Sequence, residues 1–337
     1  MGVAPRFSLL RVGVIVVIIA IVVGFIGFMH APRVTRVKMA FIFPGSITDG
    51  DWNEAAYRAM EAFKEKYPDI DIAWVQGVYD PAQIESVIRS YVQQGYNLIV
   101  GVGYQFGLPM AKIANETPRE VYFLVLATDP RYVGPKVNIA DVRTDQSGFI
   151  SGYVMISLSK SKSVAFIAGM AVPRATRSEL GQRKGIEYAG YNPREVYHVY
   201  YAGDFHDVVK CKLATLSLID QLKVDVVKSM GNGCSLGAVS AAKERGAFTL
   251  SSGTYHPELY PEGYALYEIW RWEVIYEQWY QDYLSGNLKK GGKMYWLSLE
   301  NGGIEIIKGN LPSELWNEVQ TLISKIVKGE VDTGFRP

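Results

Sequence analysis

The residues best equipped for chemistry sit close together in Phe43-Pro-Gly-Ser-Ile-Thr-Asp-Gly-Asp-Trp-Asn-Glu-Ala-Ala-Tyr57. Gly45 and Gly50 leave backbone bare, Asp49 and Asp51 bring carboxylates, Trp52 brings a flat π surface, and Asn53 brings an amide that both donates and accepts. Such a set suits the holding of a planar, hydrogen-bonding small molecule. The same residues also read as a capped helix start, with Asp49 or Asp51 at the N-cap and Trp52 as packing. An apolar run from Val37 to Phe43 precedes the stretch and a helical pattern from about Trp52 to Lys66 follows it, so it is a strand-to-helix turn. Open α/β sheets place ligands at turns of this kind.

Catalytic readings find less support. His30, His198, His206 and His256 are widely separated and show no zinc-helix spacing. No Gly-x-Ser-x-Gly elbow and no phosphate loop occurs. His206-Asp207 reads either as a catalytic pair or as a capped helix start. Cys211 and Cys234, the two cysteines of the chain, read as one disulfide in an oxidising compartment or as two packed thiols. No residue is assigned a catalytic role, and neither a metal nor a cofactor is called for. The net charge of +1 gives no field to recruit nucleic acid.

The elements that must position the turn follow from periodicity. The 337 residues, 48% hydrophobic and 20% charged, suffice for two domains with a large core. Val12 to Met29 is an unbroken apolar run of 18 residues, long enough to cross a hydrocarbon layer. It reads as an uncleaved anchor within residues 1–30, with a cleaved signal as the alternative, and residues 31–36 form a linker. Strands are expected near 37–43, 70–75, 97–102 and 121–127, with helices near 52–66, 81–94 and 107–115. A second series places strands near 163–168, 195–200, 224–228 and 247–251, with helices near 174–190, 207–221 and 234–245. The expected lobes are 37–145 and 146–255. Residues 256–337 supply an aromatic crossover helix, a β-hairpin around Asn301-Gly-Gly303 and a last helix from Ser313 to Lys328. Two α/β lobes joined by several crossings make a cleft that hinges.

Six stretches in order carry a resemblance: Asp49-Gly-Asp-Trp-Asn53, Gly101-Val-Gly-Tyr-Gln-Phe106, Asp145 to Tyr153, Val164 to Met170, Tyr201 to Asp207, and Val224 to Gly246. From about 37 to 330 the chain resembles the basic membrane protein family of extracytoplasmic solute-binding proteins, the purine nucleoside receptors of ABC transporters. The resemblance implies a two-lobed type I periplasmic-binding-protein fold, each lobe a mostly parallel sheet flanked by helices. It further implies that Trp52 takes the place of a base-stacking Phe and Asn53 that of an Asn on the base edge, with Asp49 beside them. Tyr104 and Phe106 would form the opposite wall, and Met170 and Gly231 to Gly233 the facing lobe.

The departures bear on the ligand. The family's fourth strand ends in a ribose-binding Asp, whereas this chain has Ala127 there and its nearest carboxylate, Asp129, comes two residues later. A second sugar-binding Asp is replaced within Ser252-Gly-Thr254-Tyr255, and a later Lys is represented by Arg271. A free nucleobase or another flat heterocycle therefore competes with a purine nucleoside. The function expected is solute binding outside the cytoplasm, on the membrane through the N-terminal helix, with a small-molecule ligand and an ABC permease as partners. The alternatives are a ligand-sensing receptor that signals through a partner protein and a nucleoside-processing hydrolase.

Overall fold

A computed structural model describes residue 1, residues 37–127 and residues 129–337 of the chain. Two six-stranded sheets organise them. The first has the order β11-β5-β4-β3-β1-β2, built from β1 (Lys38–Ile42), β2 (Asp71–Val75), β3 (Leu98–Gly101), β4 (Tyr122–Leu126), β5 (Val137–Val142) and β11 (Met294–Leu297). All its pairings are parallel. A parallel sheet covered on both faces needs runs that are apolar at every position, and β3 and β4 are such runs, buried throughout.

The second sheet has the order β12-β10-β9-β8-β6-β7. Its strands are β6 (Val164–Ala168), β7 (Tyr197–Tyr201), β8 (Val226–Met230), β9 (Phe248–Leu250), β10 (Tyr264–Trp270) and β12 (Ile304–Lys308). β12 pairs antiparallel with β10 and forms an edge. The helices are α1 (Trp52–Lys66), α2 (Pro81–Gln93), α3 (Gly107–Glu116), α4 (Thr144–Leu158), α5 (Pro173–Tyr188), α6 (Pro193–Val196), α7 (Val208–Leu222), α8 (Asn232–Arg245), α9 (Trp272–Leu284) and α10 (Ser313–Val327).

Two features differ from the sequence reading. The stretch 255–283, expected as an aromatic helix, contains the strand β10 and only then helix α9. Its side chains at helical spacing also alternate at a period of two, and two-sided burial of Tyr264, Leu266, Tyr267 and Trp270 favours the strand. The hairpin at Asn301-Gly-Gly303 is not formed: β11 pairs with β5 in the first sheet and β12 with β10 in the second. The Gly-Gly turn reverses the backbone locally, but the residues on either side find partners in different sheets. Val12 to Met29 lies outside the described residues, and among the described residues no helix is long and apolar enough to cross a membrane.

The chain crosses between the sheets three times, at Arg143 after β5, at Arg271 after β10, and at 298–303. The crossings are tied to one another, since Arg143 N donates to Leu297 O and Arg271 N to Gly303 O, each at 2.8 Å. The second lobe is consolidated where α4 and α5 approach backbone to backbone. A Cβ at Gly152 would stand 2.0 Å from Gln182 O, so only glycine permits this approach. Cys211 and Cys234 form a disulfide that ties α7 to the first turn of α8.

Candidate functional site

Both sheets change winding direction at one point. In the first, β1 has β2 on one side and β3 on the other; in the second, β6 lies between β7 and β8. Loops leaving the carboxyl ends of the strands on either side of such a point diverge and leave a crevice, which is where open α/β sheets bind ligands. In this chain the two crevices face each other. Pro44, Gly45, Trp52 and Asn53 follow β1 and Gly103 to Gln105 follow β3, while Val172 to Arg174 follow β6 and Asn232 follows β8; all line one cavity of about 440 Å³.

The wall is largely aromatic. Tyr79 comes after β2, Tyr104 after β3, Tyr132 after β4 and Phe205 after β7. The Tyr79 and Tyr104 hydroxyls share a hydrogen bond, which raises the Tyr104 phenol above its ordinary range. Phe205 reaches the floor because Gly169 carries no Cβ; one there would stand 2.6 Å from the Phe205 ring. Two cavity carboxylates are already engaged. Asp129 Oδ2 accepts from Arg131 Nε at 2.8 Å and Oδ1 from Arg131 N at 2.9 Å, while Asp141 Oδ2 accepts from Arg177 Nη2 at 2.7 Å and Oδ1 from Val142 N at 2.8 Å.

Asp49, rather than the residue at the N-cap position, holds the turn before α1. Its Oδ1 accepts from Asp51 N and Glu54 N, both at 3.1 Å, and its Oδ2 accepts from Asn53 N at 3.2 Å and Asn53 Nδ2 at 2.6 Å. Freed from capping, the Asp51 side chain extends to the other lobe, where Oδ2 accepts from Gly231 N at 2.9 Å and Ser235 Oγ at 3.2 Å. Its Oδ1 is buried without a partner. Burial pushes this carboxyl up to about 7, with Asp49 adding to the rise and Arg174, Gly231 and Ser235 opposing it. Nearby, Thr254 Oγ1 donates to Gly50 O at 2.5 Å, and His256 Nε2 lies 3.3 Å from Glu54 Oε1. The contact with Glu54 raises the imidazole pKa, burial opposes the rise, and Glu258 adds to it. These contacts close the lobes on each other.

Arg174, at the start of α5, is 6% exposed. Its guanidinium carbon lies 4.0 Å from the centre of the Trp52 ring and 4.8 Å from that of Trp270. Trp270 is fixed in turn by a buried group: its Nε1 donates to Glu268 Oε1 at 2.7 Å, and Glu268 Oε2 holds Lys228 Nζ at 2.7 Å. Burial lowers the Arg174 pKa, while Asp51, Asp141 and Glu268 counter that effect.

The family model described as ABC transporter substrate-binding protein, PnrA-like, matches residues 36–334. The chain belongs to this family. Its members are the solute-binding components of ABC transporters, which implies a small-molecule ligand, a permease partner and work outside the cytoplasm. The family member is 24% identical over 312 residues to Basic membrane protein A1 of Borrelia garinii subsp. bavariensis, covering 87% of each chain. It is also similar to a putative ABC transporter glucose-binding protein of Haloferax volcanii, at 22% identity over 88% of this chain and 73% of the relative. An ABC transporter solute-binding protein from Conexibacter woesei superimposes with a TM-score of 0.71 at 27% identity, over 88% of this chain and 98% of that one.

Of the residues expected at the site in this Bmp-family chain, Trp52, Asn53, Tyr104 and Asp129 line the cavity. Trp52 nevertheless differs from its expected role, because its ring is covered by Arg174 and edged by Trp270 and Trp272, and its Nε1 donates to Val102 O at 3.2 Å. Asp49 and Gly231 act behind the wall, the first as cap and the second as donor to Asp51. Phe106 turns away into the core of the first lobe against Gly101 and Met110, where it is fully buried. Thr254 bridges the lobes outside the cavity, and Tyr255 packs edge-on against Tyr267. Met170 is half-buried and not part of the wall; Arg271 lies at a crossing, paired with Glu273 and Glu305. Tyr79, Tyr132, Asp141, Arg174 and Phe205 were missed, whereas Asn232 falls within the expected stretch Gly231 to Gly233. All follow or end strands at their carboxyl side, so the switch-point rule applied to every strand would have found them.

Proposed function

We propose that this protein captures a purine nucleobase or purine nucleoside in the interlobe cavity and delivers it to an ABC permease, held to the membrane by the apolar segment Val12 to Met29. The observation that carries this reading is the aromatic wall of Tyr79, Tyr104, Tyr132 and Phe205 at the meeting of both switch points. Stacking of a base on an aromatic ring is worth roughly 1–3 kcal/mol. The cavity supports free bases over ribosides. Ala127 occupies the wall where the family resemblance places a ribose-binding Asp, and the wall carboxylates Asp129 and Asp141 are already paired with arginines. The other lost carboxylate falls in the turn of Gly253, where a Cβ would stand 2.8 Å from Asp51 Oδ1.

Affinity comes from closure, because Asp51, Thr254 and His256 make contacts between lobes that an open form lacks. The test is calorimetric titration of the full-length chain with adenine, guanine, hypoxanthine and their ribosides, followed by mass spectrometry of the recovered ligand. Tight binding with unchanged ligand is expected; conversion of the ligand would argue for a hydrolase. A sugar reading is favoured by the glucose-binding name of the Haloferax relative, so D-glucose is the comparison ligand. Partition of the full-length chain into the membrane fraction tests the anchor.

A further inference from the structure

Arg174 is the feature that capture of a flat base leaves unexplained. Its side chain lines the cavity and is 94% buried by area, being 6% exposed. Nε and Nη1 are buried with no hydrogen-bond partner among the described residues. The neighbouring cations are satisfied differently: Arg177 gives Nη1 to Val142 O at 2.6 Å and Nη2 to Asp141, while Arg131 holds Asp129. A buried donor left unsatisfied costs roughly 1–3 kcal/mol, and more when charged. Arg174 is therefore a placed donor group that awaits an acceptor.

The surroundings constrain that acceptor. Asp51, Asp141 and Glu268 already bear on Arg174 electrostatically. Compensating charge is present, and what is absent is hydrogen-bond acceptors. An anionic ligand would face those carboxylates, whereas a neutral group with paired acceptors would not. The Trp52 and Trp270 rings hold the guanidinium carbon in place at the side of the cavity that Arg174 lines.

Resting on the purine reading above, we propose that Arg174 selects 6-oxopurines, hypoxanthine and guanine, by donating to O6 and N7, and discriminates against adenine. The donor fork matches two acceptors side by side on a 6-oxopurine; adenine offers N7 beside an amino group that is itself a donor. A bidentate pair of this kind is worth about 1–3 kcal/mol of discrimination, roughly 5- to 150-fold in affinity.

The experiment is calorimetric titration of the full-length chain and its Arg174→Gln and Arg174→Lys variants with hypoxanthine, guanine, adenine and D-glucose. Thermal melting of each variant serves as the check on folding. The parent should bind hypoxanthine and guanine at least about 5-fold more tightly than adenine. Arg174→Gln should reverse the order, because a glutamine amide donates to N7 and accepts from N6. Arg174→Lys, with a charge but no fork, should bind 6-oxopurines more weakly and discriminate less. A purely structural role for Arg174 would weaken all purines alike. Equal affinity of the parent for adenine and hypoxanthine, or an unchanged order in a folded Arg174→Gln, overturns the inference while leaving purine binding intact. Glucose binding without purine binding overturns the purine reading itself, and this inference with it.

Discussion

Asp51→Asn gives the sharpest test of how the lobes close. The Asp51 carboxyl is shut between them, is pushed up to about 7 by burial, and makes its Gly231 and Ser235 contacts only across the interface. In an open form it is solvated and returns towards the ordinary aspartate value of 3.8. The closed form therefore binds a proton that the open form lacks. The stability this adds to closure is complete below about pH 4 and is lost as pH rises through 7. Between about pH 5 and pH 8 the two values differ in proton binding by an integrated amount near 2 pH units, about 2.6 kcal/mol or on the order of 100-fold in the closing constant. Water reaching the interface reduces that figure. Asn preserves the acceptor for Gly231 and Ser235 but does not titrate. Small-angle scattering of the full-length chain across this range reads lobe separation, and thermal melting reads the stability of the closed form. The parent should expand as pH rises and the variant should respond much less. What slope remains above about pH 6.5 is assigned to His256, which Glu54 raises and whose contribution is also lost with rising pH. A variant with the same slope as the parent, or a parent that closes as pH rises, would refute the reasoning.

Further predictions concern the frame of the site. Gly152→Ala forces a Cβ to within 2.0 Å of Gln182 O and should lower stability by about 1–3 kcal/mol, seen as a fall of several degrees in Tm. Breaking the Cys211–Cys234 bond, which closes a separation of 23 residues, should cost about 3 kcal/mol in the chain-entropy account; melting with and without reductant, beside Cys211→Ser/Cys234→Ser, measures it. Ala127→Asp places a carboxylate on the wall at a backbone φ of 55°, a left-handed conformation that Asp tolerates. Inosine affinity relative to hypoxanthine should rise roughly 10-fold or more if that acid meets the ribose hydroxyls, and an unchanged ratio would place the sugar elsewhere.

Strands covered on both faces were easy to read, because β1, β3 and β4 have no polar alternation to obscure them. Helix α1 was legible as a capped start, but spacing left Asp49 and Asp51 as equal candidates, and only the hydrogen bonds to Asp49 decide between them. Long-range partners were not legible. Glu268 is buried in β10 paired with Lys228, 40 residues earlier, and nothing near 264–270 advertises that pairing. The turn at 301–303 carries a hairpin signature, yet which sheet each neighbour joins is decided by strands far away in sequence. Trp52 lines the cavity, but its covering by Arg174 depends on two helices in different lobes. The role of such a residue emerges only when the lobes meet.

The three crossings carry a mechanical consequence. One strand between rigid bodies is a swivel, and two allow shear along their common direction. Three segments bonded side by side, through Arg143 to Leu297 and Arg271 to Gly303, behave like the knuckles of a piano hinge. Twisting or sliding would stretch those bonds, whereas bending rotates all three together. Bending is then the motion expected to be softest, and occupancy of the cavity would be read out as a change in one angle between the lobes.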